Sequence, residues 1–319
     1  MNAAVVTSFD EPPQYQRIEV PQPTTTGELL VDVLAVGLHP RVRSGASGVH
    51  YTSTGKLPMI PGIDGVGRRP DGRRIYFLAD DQNFGTMAER ALVDPGRAID
   101  LPDEADVATI AATMNPAMSS WVALRRRAEI KSGQSVLVLG ATGSAGTMAV
   151  QVAKRLGAGH VVGAGRNLER LNALNRLGAD ELVRLSDDVH ATSRALGAAA
   201  SEIDIVIDYL WGSPAQQAIM ALLAARSDRS RALNWIQIGA VAGSKIELAS
   251  AALRSANLRL QGSGQGAVST FAYRAELPSL IDEINAGGLA LAASTKPLSQ
   301  VEAIWAASDP PGRRTVLIP

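Results

Sequence analysis

The sequence predicts an α/β protein, a doubly wound parallel sheet preceded by a smaller, mostly antiparallel β domain. Three observations carry this. The stretch SVLVLGATGSAG at 135–146 reads as a buried strand, a glycine turn and the start of a helix. From about residue 115 onward, strand-like and helix-like segments alternate, which is how a parallel sheet covered by helices looks in sequence. Before residue 115 the apolar runs are short and separated by Pro- and Gly-rich joints.

Composition sets the outer limits. A chain of 319 residues suffices for two domains, and its 46% hydrophobic and 19% charged residues are those of a soluble globular protein. The net charge of +0 provides no field to gather nucleic acid or an anionic membrane. There is no cysteine, which excludes disulfides, thiol nucleophiles and thiolate zinc sites. The beginning, MNAAVVTSFDEPP, lacks a basic region and meets Asp10 early, so it does not read as a signal peptide. No apolar run is long enough to span a bilayer, and a cytoplasmic protein is expected.

Taken in order, residues 3–7 and 28–36 are β-like, with EPPQ and VPQPTTTG as joints. Residues 73–78 and 88–93 follow as short strands, the first preceded by the turn RRPDGRR, whose cations read as a solvated loop. NPAMSSWVALRRRAE reads as a helix beginning near Asn115, with Arg125, Arg126 and Arg127 as its solvated end. After the glycine turn, TMAVQVAKRLGA places Ala149, Val152, Ala153 and Leu156 on one helical stripe. Further strands are expected at 160–163, 181–185, 203–208, 235–239 and 258–262, making six with the first. Helices are expected at 168–177 and in PAQQAIMALLAA. The last segment holds a helix, FAYRAELPSLIDEINAG, and a strand, TVLIP. It is too short to fold alone and should return to the first domain. The expected domains are therefore 1–115, 116–264, and 265–319 as the second part of the first.

The glycine turn is the strongest chemical signal. Gly140, Gly143 and Gly146 form GxxGxxG rather than GxGxxG, with Thr142, Ser144 and Ala145 between them. Such glycines let the backbone turn tightly and approach a pyrophosphate, and the helix behind them presents free N–H groups to that anion. A glycine-lined turn with no ligand is the alternative. The next strand runs into Gly165, Arg166 and Asn167, with no acid to bind a ribose 2′-OH. Gly165 leaves room and Arg166 offers a planar fork of donors to a 2′-phosphate, which favours NADPH. Arg170 is a weaker second candidate.

PGIDGVG at 61–67, FGTMAERALV at 84–93, the glycine turn, WIQIGAVAG at 235–243 and LRLQGSGQG at 258–266 occur in an order that has a family counterpart. Through them the chain resembles, nearly end to end, the zinc-independent quinone oxidoreductases of the medium-chain dehydrogenase/reductase superfamily. The resemblance implies a Rossmann domain, a discontinuous GroES-like catalytic domain, and NADPH in a cleft. It further implies cofactor contacts from Asn115, in the loop entering a helix, and from Asp208 and Tyr209 at the end of the fourth strand. Ile238, Gly239 and Ala240 after the fifth strand, and Gly262, Ser263 and Gly264 after the sixth, complete the set.

In the zinc-dependent branch of the superfamily, cysteine and histidine hold the metal. Here those positions resemble His39 and Ile63, and no metal is expected, since zinc needs three protein ligands. His50, His160 and His190 form no ligand spacing either. Without zinc the hydride acceptor must itself be electrophilic, a quinone or an α,β-unsaturated carbonyl, and a donor must meet the charge left on its oxygen. Tyr51, in SGVHYTSTGKLPMIPG, is the first candidate and His50 the second, because the alignment is ambiguous by one residue; that Tyr51 only lines the cleft and stacks on substrate is the alternative. Two other functions compete: an enoyl reductase acting on a carrier-bound thioester, and an NADPH-binding protein without turnover. Finally, the strand at 258–262 would lie at a sheet edge, and pairing about a two-fold axis predicts a homodimer. A monomer with its edge blunted by Arg259 is the alternative.

Overall fold

The computed structural model describes residues 1–23, 27–79, 83–309 and 312–319, so the threonines of the VPQPTTTG joint lie outside the described residues. The chain divides into two compact units, Met1–Asn115 with Leu277–Pro319, and Pro116–Glu276.

The first unit opens with β1 (Asn2–Val5), β2 (Gln14–Arg17), β3 (Leu29–Gly37), α1 (Pro40–Ala46), β4 (Asp64–Arg68), β5 (Arg74–Leu78), β6 (Arg90–Val93) and β7 (Ala98–Asp100). The helix α2 (Val107–Val122) follows. Then come β8 (Ser135–Leu139), α3 (Ser144–Arg155), β9 (His160–Gly165), α4 (Leu168–Ala173), β10 (Glu181–Arg184), α5 (Val189–Ala200) and β11 (Ile205–Asp208). After α6 (Gly212–Ala225) the order is β12 (Leu233–Gln237), α7 (Ser250–Arg254), β13 (Leu258–Gly262) and α8 (Thr270–Asn285). The chain ends with β14 (Ala292–Pro297), α9 (Val301–Ile304) and β15 (Arg313–Ile318).

In the first unit the strands lie in the order β14-β15-β3-β4-β5-β7, with β6 also paired to β3. Pairing is antiparallel throughout this sheet except between β14 and β15. β3 sets the pattern: Val31 and Val33 are buried on either side of exposed Asp32, and the strand is then fully buried from Ala35 to Gly37. The C-terminal strand pairs with it, Leu317 opposite Val36, so the domain is discontinuous, as the sequence anticipates. β4 (DGVGR) carries no strand-like propensity and is missed by pattern reading. Packing demands its glycines: a Cβ on Gly67 would stand 3.0 Å from the Phe77 ring and 3.1 Å from the Asp32 carbonyl oxygen.

The second unit holds six parallel strands in the order β10-β9-β8-β11-β12-β13. This is the doubly wound order of a dinucleotide-binding domain, with the first strand in chain order, β8, at its centre. Trp235, fully buried on β12, and Leu137, Leu139, Val206 and Leu222 belong to its core. Among the described residues no helix is long and apolar enough to cross a membrane.

Two expectations need correction. Asn115 is not in a loop entering a helix, because α2 begins at Val107, where Asp106 accepts a 2.7 Å hydrogen bond from the Thr109 amide. Pro116, which marks a helix start in sequence, lies inside α2. The buried stripe of Ile110, Met114, Met118 and Trp121 outweighs the backbone bond that the proline forfeits. The arginine run does end the helix with Arg125 and Arg126 exposed, but it is not merely solvated. Arg125 and Arg126 both pair with the Glu276 carboxylate, only 2% exposed, and Arg127 donates to the Gly262 carbonyl at 2.9 Å. Residues 265–276 accordingly cluster with the second unit, ahead of the C-terminal segment.

Candidate functional site

A parallel sheet brings the C-terminal ends of all its strands to one edge, and the register here aligns them closely. Leu139 pairs with Ala164 on one side and Asp208 on the other, Asp208 with Gln237, and Gln237 with Gly262. The residues immediately beyond this row are Gly165, Gly140, Tyr209, Ile238 and Ser263. The sequence-predicted positions of the second unit therefore converge on one edge; Asn115 belongs to the first unit.

The three glycines of the turn do different work. Gly140 turns the chain with φ +84°, a conformation that favours glycine. Gly146 packs helix on strand: a Cβ there would lie 2.2 Å from the Gly140 carbonyl oxygen. Gly143, the N-cap of α3, needs neither service, since its φ is −82° and a Cβ would meet only the Gly140 oxygen at 3.6 Å. It is exposed, and no side chain caps the helix behind it. No close contact or backbone strain demands a glycine at 143, although glycine suits an N-cap. A ligand that must touch the backbone at a helix N-terminus demands it.

Gly165 serves its neighbour as well as any ligand, because a Cβ there would stand 2.5 Å from Thr142 Cγ2. Arg166 is exposed, and Asn167 caps α4, its Oδ1 accepting from the Arg170 amide at 2.9 Å. Asp208 is fully buried. Its Oδ1 accepts from the amides of Leu210 (2.8 Å) and Trp211 (3.0 Å), and its Oδ2 from Trp235 Nε1 (3.0 Å). Burial raises the Asp208 carboxyl above its ordinary value, against the pull of these three donors. The carboxylate thus shapes the loop after β11, where Trp211 is held at φ +52°. The Tyr209 hydroxyl lies 2.9 Å from Ser119 Oγ, and burial pushes its pKa up to about 12. Of the remaining positions, Ala240, Gly262 and Gly264 are exposed, Ile238 and Gly239 half-buried, and Ser263 9% exposed.

In the first unit, a cavity is lined by residues that include Phe9, Arg41, Thr52, Met59, Pro61 and Ile63. His50 and Tyr51 sit in the turn just before Thr52, their ring centroids 4.3 Å apart. Tyr51 is 71% exposed and His50 half-buried. Deeper in the unit is a polar cluster that sequence reasoning missed. His39 Nε2 lies 3.0 Å from Asp64 Oδ1, the Tyr76 hydroxyl donates to Asp64 Oδ2 at 2.9 Å, and all three residues are buried. Burial, only partly offset by the Asp64 bond, holds the His39 imidazole below its ordinary value. Neutral His39 therefore donates Nε2–H to Asp64, and its buried Nδ1 has no partner.

These features have counterparts in known proteins. A family model described as zinc-binding dehydrogenase matches residues 145–285. A probable NADPH-dependent quinone reductase of Emericella nidulans is 32% identical over 361 aligned residues, covering 100% of both chains. A human quinone oxidoreductase is 30% identical over 194 residues, 57% of each chain. The solved quinone oxidoreductase of Thermus thermophilus, studied also in complex with NADPH, superposes with a TM-score of 0.81 at 26% identity, over 100% of both chains. With an end-to-end relative at that identity and the same two folds, the chain belongs to the quinone oxidoreductases of the medium-chain dehydrogenase/reductase superfamily.

Proposed function

We propose that the protein is an NADPH-dependent oxidoreductase that passes hydride to a quinone or an α,β-unsaturated carbonyl without zinc. Gly143 carries this reading: it is an exposed glycine that no close contact demands, at the N-terminus of α3 where no side chain caps the helix. Its missing side chain leaves room for a pyrophosphate against the amides of Ser144, Ala145 and Gly146. Bound NADPH would supply the hydride. Asp208 and Tyr209 hold the loop after β11 in place, while Gly239 and Ser263 contribute backbone near the same edge. In the first unit, His50 or Tyr51 would donate a hydrogen bond to the acceptor oxygen as it gains negative charge, and a proton from solvent would complete the reduction. The Emericella and Thermus relatives, named for quinone reduction with NADPH, support the choice of acceptor and cofactor.

Zinc has no fitting ligand set here, although the family model's description implies it. His39 directs Nε2 at Asp64, Ile63 is apolar, and the chain has no cysteine. Among the described residues no group of three His, Cys, Asp or Glu side chains could hold a metal ion.

NADPH should bind at least about tenfold more tightly than NADH, since one charge-assisted contact from Arg166 to a 2′-phosphate supplies about 1.4 kcal/mol or more. Arg166→Ala should weaken NADPH binding and leave NADH nearly unchanged. The test is a panel of quinones, enones and acyl thioesters with NADPH, read as loss of reduced-nicotinamide absorbance and repeated after exhaustive chelation. Equal affinity for NADPH and NADH would refute the cofactor assignment. Turnover of acyl thioesters alone, or activity lost with a stoichiometric metal, would refute the acceptor or the zinc-free chemistry.

The same reading includes a homodimer. β13 is the outer strand of its sheet, and Leu260 on it is 38% exposed. Two-fold pairing of β13 would satisfy its outward backbone groups and cover that leucine. Sedimentation equilibrium at micromolar concentration should give twice the 33.4 kDa chain mass; a single species at the chain mass would exclude the dimer.

A further inference from the structure

We propose that Arg41 and Thr52 act as positioning residues that fix neutral His50 with its hydrogen on Nε2, making His50, not Tyr51, the hydrogen-bond donor to the acceptor oxygen. This rests on the hydride-transfer reading above and deepens it. The argument follows from which atoms can only donate. The Thr52 backbone N–H donates to His50 Nδ1 at 3.2 Å, so this nitrogen must carry its lone pair. The Thr52 hydroxyl lies 3.0 Å from the same nitrogen. Arg41 Nη2 donates to Thr52 Oγ1 at 2.6 Å, and a guanidinium cannot accept. Thr52 Oγ1 is thus an acceptor toward Arg41, which turns its own hydrogen to His50 Nδ1. Two donors therefore meet at Nδ1, and neutral His50 carries its hydrogen on Nε2.

Local sequence supports this arrangement. Arg41 and Gly45 are four residues apart on α1 and share a face. A Cβ on Gly45 would stand 2.9 Å from Arg41 Nη1, so a side chain there would have to shift the guanidinium end. Arg41 and Thr52 also line the cavity of the first unit, which places the relay at its wall. Tyr51, at 71% exposure, has far less of its surface packed, and its ring lies against the imidazole at 4.3 Å. A hydrogen-bond donor gains from a fixed orientation, and two Thr52 donors meeting at Nδ1 fix that of the His50 imidazole.

The proposal is tested by long-range proton–nitrogen correlation NMR on the 15N-labelled full chain, at a pH where His50 is uncharged. The His50 signals are assigned by their loss in His50→Gln. A protonated Nε2 and a lone-pair Nδ1 are expected, and a protonated Nδ1 overturns the proposal. Steady-state kinetics with NADPH and a quinone test the donor role. His50→Gln should lower kcat by about 100-fold, and Tyr51→Phe by less than about twofold. Thr52→Val should lower kcat with little change in the KM for NADPH, Thr52→Ser should restore it, and Thr52→Val should add nothing in the His50→Gln background. Additive losses, or a larger loss from Tyr51→Phe than from His50→Gln, overturn the donor assignment. Absence of turnover with every acceptor defeats the hydride-transfer reading and the donor role with it, while the NMR result still decides the tautomer independently.

Discussion

Gly143→Val is expected to lose only about 1 kcal/mol of stability, the cost of valine at a helix N-cap, and to bind NADPH on the order of 100-fold more weakly, a loss of about 2.7 kcal/mol. The fold tolerates the change because φ at 143 is −82° and the nearest atom to a new Cβ is 3.6 Å away. The ligand would not tolerate it, because the added side chain occupies the space through which a pyrophosphate reaches the α3 amides. Gly146→Val is the control with the opposite profile. Its Cβ would lie 2.2 Å from the Gly140 carbonyl oxygen, so the strand and helix must separate and stability must fall, by about 1–3 kcal/mol or more. Calorimetric titration with NADPH and thermal melts of both variants decide the matter. A Gly143→Val protein with parental affinity would show that the turn contacts no pyrophosphate.

Asp64→Ala is expected to destabilise the first unit by about 3–5 kcal/mol, because one substitution removes the acceptor shared by two buried donors. The Tyr76 hydroxyl and His39 Nε2–H both give their bonds to this carboxylate, and Tyr76 is among the largest fully buried side chains. His39 already has one unpartnered nitrogen, so after the substitution neither side of its ring would be satisfied. Asp64→Asn should cost less, since the amide oxygen can still accept one of the two bonds. Denaturant melts of the three proteins, with fluorescence and circular dichroism as separate probes, measure the difference. A loss below about 1 kcal/mol for Asp64→Ala would mean that the cluster is solvated or rearranged, since orphaned buried donors cost more than that.

Much of this protein is legible in the sequence because much of it is local. The strand at 135–139, the turn at Gly140 and the helix stripe through Ala149, Val152 and Ala153 are each specified within a few residues of themselves. The alternation after them is enough to predict the six parallel strands, and the absence of an acid beside Arg166 is a property of adjacent positions. The spatial strand order is not local, although short connections and right-handed crossovers leave few choices. What the sequence could not show has partners far along the chain. Asp64 joins His39 from 25 residues away, and Arg125 joins Glu276 from 151. In isolation a histidine, an aspartate and a run of arginines read as solvated or as ligands, and only packing makes them a buried cluster and the exposed partners of a buried carboxylate. The same holds for β4 and α2. Glycines argue against a strand and a proline against a helix interior, yet the Phe77 ring demands the first and a buried apolar stripe overrides the second. Backbone chemistry repeats at short range and so is visible in order; side-chain partnership depends on which distant residues the fold brings together, and that is decided only in three dimensions.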